Sequence, residues 1–222
     1  MELPDPTLAP TRFVDFDHPA VADFARRSAG TGSDRLRAVR LYYAVRDGFR
    51  YDPYAFRIAP EWLRASRTLE LGFGWCVPKA VLLAACCRAQ GIPARLGFAD
   101  VRNHLATERL LRYMDAKDFL WHGYVSLRLA GRWVKATPSF NVEMCRRFDV
   151  PALEFDGTAD SLLQPYDARN QRFMEYVRDH GLHDDLPYED AARDWRAGYP
   201  RLLAAVEAGE VGGRFESDRI ER

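Results

Sequence analysis

The sequence predicts an α+β chain in which helices come first and antiparallel strands follow. Two observations predict it. Residues 77–90 are apolar on almost every helical face, from Val77 and Ala80 through Leu82, Leu83, Ala84, Ala85, Cys86 and Cys87, and a helix apolar all round is a buried one. Residues 120–140, LWHGYVSLRLAGRWVKATPSF, carry two alternating runs about Ala130-Gly131, the period-two pattern of a hairpin.

The elements follow in order. Asp17, with Pro19 near the first turn, opens a helix closed by Gly30. Ser33 or Asp34 caps a second helix over residues 34–49, with Leu36, Val39, Leu41, Tyr43 and Val45 on its apolar side. The buried third helix has Pro78 in its first turn and Gly91 just past its end. PARLGFADV reads as a strand, and residues 102–118 as a polar connection or short surface helix. In the hairpin, Val125, Leu127 and Leu129 share one face and His122, Tyr124, Ser126 and Arg128 the other. A two-residue turn sets Leu129 opposite Arg132 and Tyr124 opposite Thr137, which makes His122 and Thr137 same-face neighbours roughly 7–8 Å apart at Cα. Beyond Asn141 the pattern weakens to a loop with a strand or short helix near RFMEYV. A helix bent near Pro200 follows, then a loose tail from about residue 210. With no repeat or linker, residues 1–222 are expected to form a single domain.

Composition narrows the function. The chain has 222 residues, 47% of them hydrophobic, enough for a sizeable core. A net charge of zero argues against a non-specific nucleic-acid binder. Four cysteines, two of them adjacent, do not make a disulfide framework. The longest apolar run, Ala80 to Cys87, is far too short to span a membrane. The start of the chain lacks the basic-then-apolar order of a secretory signal. The expectation is a cytoplasmic protein with no nucleic-acid or membrane partner and no cofactor.

Cys76 differs from its neighbours. It stands after Gly72, Gly74 and Trp75, just before the first turn of the buried helix, where orphan N–H groups and the helix dipole favour thiolate. Cys86 and Cys87 lie about three turns in, as packing residues, and Cys145 sits in a polar loop. A nucleophilic thiol needs a base. Of the five histidines, His18 marks a helix start, His104 a polar connection, and His180 and His183 an acidic loop; His122 lies on a strand that must pack near the buried helix. The stretch DHGLHDD offers a different reading, a metal site from His180, His183, Asp179, Asp184 and Asp185, against a solvated acidic loop.

GWCVPKAVLLAACCRAQGIPAR resembles the Cys segment of the transglutaminase-like superfamily, in which a Gly-x-Cys turn opens a helix ending in Arg-Ala-x-Gly-Ile-Pro-Ala-Arg. HGYVSLRLAGRWVKATPSF resembles its His segment, and LYYAVRDGFRYDPY the stretch that precedes the Cys. The likeness covers about residues 36–141. It implies a papain-like α+β core with the Cys helix packed on an antiparallel sheet. It also implies a cysteine enzyme that acts on an amide or peptide bond through a thioester, with Cys76 as nucleophile and His122 as base. The substrate would be a peptide, a protein or a small amide. Hydrolysis is favoured over transamidation, because nothing resembles the additional β-sandwich domains or calcium sites of the large crosslinking members. One position departs from the family pattern. Thr137 stands where the family has Asp, so it, Asn141 or Asp100 is expected to orient His122. The Cys76 N–H, with Trp75 or Tyr51, is expected to serve the oxyanion. The alternative is a domain of the same fold that has lost catalysis, with Thr137 as the visible reason.

Overall fold

The computed structural model describes residues 5–103, 106–163, 174–211 and 215–218. His104 and the first two residues of RFMEYV lie outside the described residues. Helix α1 (Pro19–Ala29) is capped by His18, whose Nδ1 accepts the Ala20 N–H at 3.3 Å. The cap is therefore one residue later than Asp17, and the imidazole supplies the acceptor that a carboxylate was expected to supply. Helix α2 (Asp34–Gly48) is capped by Ser33. Strand β1 (Arg50–Tyr51) pairs in parallel with β2 (Phe73–Gly74), and helix α3 (Ala65–Leu71) lies between them in sequence. That short pairing brings residues 50–54 beside the start of helix α4 (Cys76–Ala89), which is buried from Cys76 to Arg88.

The main sheet contains β3 (Ala94–Asn103), β4 (Asp118–Leu129), β5 (Arg132–Ala136) and β6 (Met174–His183) in the order β5-β4-β3-β6, antiparallel throughout. The hairpin has the expected register, with Leu129 opposite Arg132 and Val125 opposite Ala136. Ala130 and Gly131 both take positive φ, 48° and 78°, as a two-residue turn matched to the strand twist requires. The DHGLHDD stretch is largely strand, not loop, because β6 runs through His183 along β3. Helix α5 (Glu108–Met114) is the expected short surface helix, with one side inward: Glu108 and Arg112 are exposed, Leu110 and Met114 are buried, and it packs on α8. Helix α6 (Val142–Phe148) follows the hairpin. Helices α7 (Tyr188–Gly198) and α8 (Pro200–Glu207) meet at the expected bend. The expected loose tail is partly packed, since Phe215 and Asp218 are buried.

Two residues set the position of α4. Lys79 is fully buried, and its Nζ donates to the carbonyls of Arg46 and Phe49 at 2.8 and 2.6 Å. These acceptors lie at the C-terminal end of α2, where carbonyls lack helical partners. Burial pushes the Lys79 ammonium down to about 7. On the other side, α4 rests on the bare backbone of Gly123. A Cβ there would lie 3.1 Å from Val77 Cα and 3.3 Å from Ala80 Cβ. Gly123→Ala should therefore lower the unfolding free energy by about 1–3 kcal/mol through overpacking. Denaturant titration measures it, and an Ala variant as stable as the parent would show that the α4–β4 spacing is not tight.

Candidate active site

The site is built where β4 loses a neighbour. Along β4 the N–H groups alternate between the two adjacent strands. Arg128 N–H is directed to Pro93 O, on the β3 side. Residues of opposite parity, Gly123 among them, therefore face the β5 side. Strand β5 ends at Ala136, opposite Val125, so the Gly123 N–H meets no strand. The Cys76 thiol lies there, at the first residue of α4, with the N–H groups of Gly123, Val77 and Cys76 favouring its ionised form. Pro78 contributes no N–H to this turn.

His122 precedes Gly123 and is itself buried. Its approach is set by a bulge in which Asp100 on β3 faces both Leu120 and Trp121, between the pairs Ala99–His122 and Val101–Phe119. Trp121 takes φ 59°, a left-handed conformation uncommon for a bulky residue. Asp100 holds it there: Oδ1 accepts the Trp121 N–H at 2.9 Å and lies 2.7 Å from His180 Nε2. The Trp121 ring stacks on His180 at 4.0 Å and donates its N–H to Asp194. Asp100, one candidate to orient His122, is thus engaged with the backbone of the preceding residue and with another histidine.

The other candidates are distributed as follows. Thr137 is buried, and its backbone is fixed by Ser161 O and Tyr42 Oη, while its hydroxyl has no hydrogen-bond partner among the described residues. His122 Nε2 is likewise buried without a partner. Asn141 Oδ1 accepts the Tyr51 N–H at 3.0 Å, so this amide fixes Tyr51. Tyr51 and Trp75 both line the cavity at Cys76, and the Trp75 ring packs on Phe56 and Trp195. Cys86 and Cys87 are buried inside α4, and Cys145 lies on α6. His183 Nε2 meets His180 O, and Asp184 pairs with Arg95. Among the described residues no three His, Cys, Asp or Glu side chains converge as a metal site.

The cavity is small, about 40 Å³, room for one water-sized group. Tyr51 and Pro53 form one wall, Leu110 and Met114 of α5 a second, and Tyr199 and Leu202 a third. Closure dominates the electrostatics. Burial pushes the Cys76 thiol up to about 11, against the pull of the nearby N–H groups. The activation expected of a helix start is outweighed by desolvation. Burial likewise pushes the His122 imidazole down to about 4. Near neutral pH the thiol and the imidazole are both uncharged. Two features of this site carry no sequence motif. Gly123 is marked only by a glycine among bulky strand residues, and the α5 wall comes from a stretch with weak periodicity.

The sequence model of the Transglutaminase-like superfamily matches residues 22–138. The chain belongs to this superfamily. Two solved structures are similar to it. One, from Cytophaga hutchinsonii and provisionally described as a cysteine protease, shares 16% identity with a TM-score of 0.46 over 80% of this chain and 53% of that one. The other, from Parabacteroides distasonis ATCC 8503 and provisionally described as a protease, shares 15% identity with a TM-score of 0.39 over 62% of this chain and 27% of that one. The superfamily chain described here thus spans about half or less of those structures. No curated protein matches it in sequence. Among the described residues no helix is long and apolar enough to cross a membrane.

The buried imidazole predicts a pH dependence. The unfolded chain binds the His122 proton below about 6.5 and the folded chain only below about 4. Between these values the unfolded state holds more protons, so stability rises with pH across the window. Denaturant titrations from pH 4 to 7 should show a steeper rise in the parent chain than in His122→Asn. Equal slopes would place the imidazole in contact with water.

Proposed function

We propose that this chain cleaves an amide or peptide bond through a thioester acyl-enzyme, with Cys76 as nucleophile and His122 as general base. The observation that carries the reading is the placement of the Cys76 thiol among backbone N–H groups at a helix start, beside the strand residue that follows a buried histidine with an unpartnered Nε2. Membership of the superfamily supports it.

His122 takes the thiol proton as Sγ bonds to the carbonyl carbon. The carbonyl π electrons move to oxygen, where the Cys76 N–H and the Tyr51 hydroxyl are the donors. Burial and the neighbouring thiol raise the Tyr51 phenol well above its ordinary value, which keeps its proton available. Collapse breaks the C–N bond, and the amine leaves with the proton held by His122. Water, deprotonated by His122, then adds to the thioester, and the carboxylic acid departs as the thiol is restored. Thr137, placed on the His122 face by extension of the hairpin register, would orient the ring through its hydroxyl. It brings no charge to offset an imidazolium, so turnover is slower than a carboxylate would allow.

A second reading, a domain that keeps the fold without turnover, is favoured by the 40 Å³ cavity and by the neutral residue at 137. Para-nitrophenyl acetate separates the two. The enzyme reading expects acetylation of Cys76 in the intact mass, with steady release of acetate. Cys76→Ala should abolish it, His122→Asn should slow it roughly 10²–10⁴-fold, and Thr137→Asp should speed it. A parent chain that acquires no acetyl group, or acquires it equally in His122→Asn, favours the inactive domain. Peptide, isopeptide and small-amide libraries then identify the scissile bond.

A further inference from the structure

The C-terminal segment forms a hook that joins two walls of the cavity. Residues Phe215–Ser217 make a 3-10 turn, closed by the Asp218 N–H on Phe215 O at 3.0 Å, which presents Phe215 and Asp218 together. The Asp218 side chain is 3% exposed. Its Oδ2 accepts from the Tyr54 hydroxyl and from Thr107 Oγ1 at 2.9 Å, and its Oδ1 pairs with Arg109 Nη1 at 3.1 Å. The Phe215 ring lies 5.9 Å from Tyr51, 5.8 Å from Tyr54 and 5.2 Å from Phe148.

These partners belong to two different elements that line the cavity. Tyr51 and Pro53 line it, and Tyr54 follows them in the chain; Leu110 and Met114 line it, and Thr107 and Arg109 precede them at the start of the same helix. One carboxylate therefore bridges the residue 51–54 wall and the α5 wall, which also meet through the Arg109 guanidinium over the Tyr54 ring at 4.6 Å and through the Tyr54–Tyr113 ring contact. Two hydroxyls and a guanidinium directed at one buried carboxylate make strong, charge-assisted bonds. Such a cluster recognises a carboxylate whichever chain supplies it.

We infer that Tyr54, Thr107 and Arg109 form a carboxylate-binding site on the rim of the Cys76 cavity, and that Phe215 and Asp218 occupy it in cis as a displaceable hook. The external ligand has the chemistry of the hook: an acidic peptide with an aromatic residue three positions before the carboxylate. Its binding exchanges one carboxylate for another and frees the chain's own hook; where the hook is lost and nothing replaces it, α5 loosens from the residue 51–54 wall and the cavity opens. This regulation of the site rests on Cys76 being its reactive thiol.

The test uses the full chain. Alkylation by iodoacetamide is followed at each cysteine by peptide mapping. Asp218→Asn should label Cys76 about tenfold faster or more, the factor for one lost charge-assisted hydrogen bond, and Phe215→Ala should also label it faster, with Cys86, Cys87 and Cys145 unchanged. A fluorescent amidated peptide, Arg-Phe-Glu-Ser-Asp-Arg, should bind the Asp218→Asn chain more tightly than the parent, and its Asp-to-Asn analogue should not bind. Equal acceleration at all four cysteines would make the hook a part of the fold and not a gate. Unchanged Cys76 labelling, or peptide binding indifferent to the Asp, would overturn the inference. Labelling reads access and not turnover, so its failure leaves the acyl-enzyme reading standing, and a chain inert toward the acetate ester leaves the hook standing.

Discussion

Everything at the site depends on how closely α4 approaches β4, and that approach depends on a residue with no side chain. Val77 can lie against the backbone at Gly123 because no Cβ intervenes. That contact delivers Cys76 to the point where β4 has outrun β5 and an N–H is left for the thiol. The cost is that α4 must be enclosed on its remaining faces by α1, α2 and α3. Lys79 shows the consequence. A lysine one turn into such a helix has no path to water, and it is tolerated because the end of α2 offers two carbonyls in need of donors. The lysine and the glycine thus fix opposite sides of the helix that carries the thiol.

The same enclosure governs the chemistry. A helix start lowers a thiol pKa through N–H groups and dipole, and burial raises it by removing water. Here burial wins for Cys76 and acts in the matching sense on His122, leaving both neutral. A buried imidazolium–thiolate pair would need a compensating charge. The residue at 137 supplies a hydroxyl and no charge. A neutral partner at 137, a buried thiol and an uncharged pair are therefore mutually consistent.

What could be read in the sequence was what is locally encoded. The apolar circumference of residues 77–90 marked α4, and strict alternation about Ala130-Gly131 fixed both the hairpin and its register. What could not be read depends on contacts between distant residues. Asp100 meets a Trp121 backbone in a left-handed conformation and His180 from β6; nothing in the strand pattern around Asp100 signals either partner. The strand through DHGLHDD was hidden because its residues are mostly polar, and the sheet holds them through the backbone ladder. The seven-residue helices α3 and α6 are too short to establish a period. Helix α5 was visible as a short helix, but its role came from α8 and from a carboxylate 109 residues farther along than Arg109.

Access and ionisation are coupled through these elements. The shifts at Cys76 and His122 are both caused chiefly by desolvation, so water that reached both groups would move them in opposite directions. The thiol falls from about 11 toward its ordinary 9, and the imidazole rises from about 4 toward its ordinary 6.5. Each movement would lower the free-energy difference between the neutral pair and a thiolate–imidazolium pair. A device that parted the α5 wall from the residue 51–54 wall would therefore do more than admit a substrate. On the proposed mechanism, water that reached both groups would ease proton transfer from Cys76 to His122 without any new charged residue. On this argument a chain with Thr at position 137 has more to gain from gating than one with a carboxylate there, because solvent supplies part of the stabilisation that the carboxylate would have given.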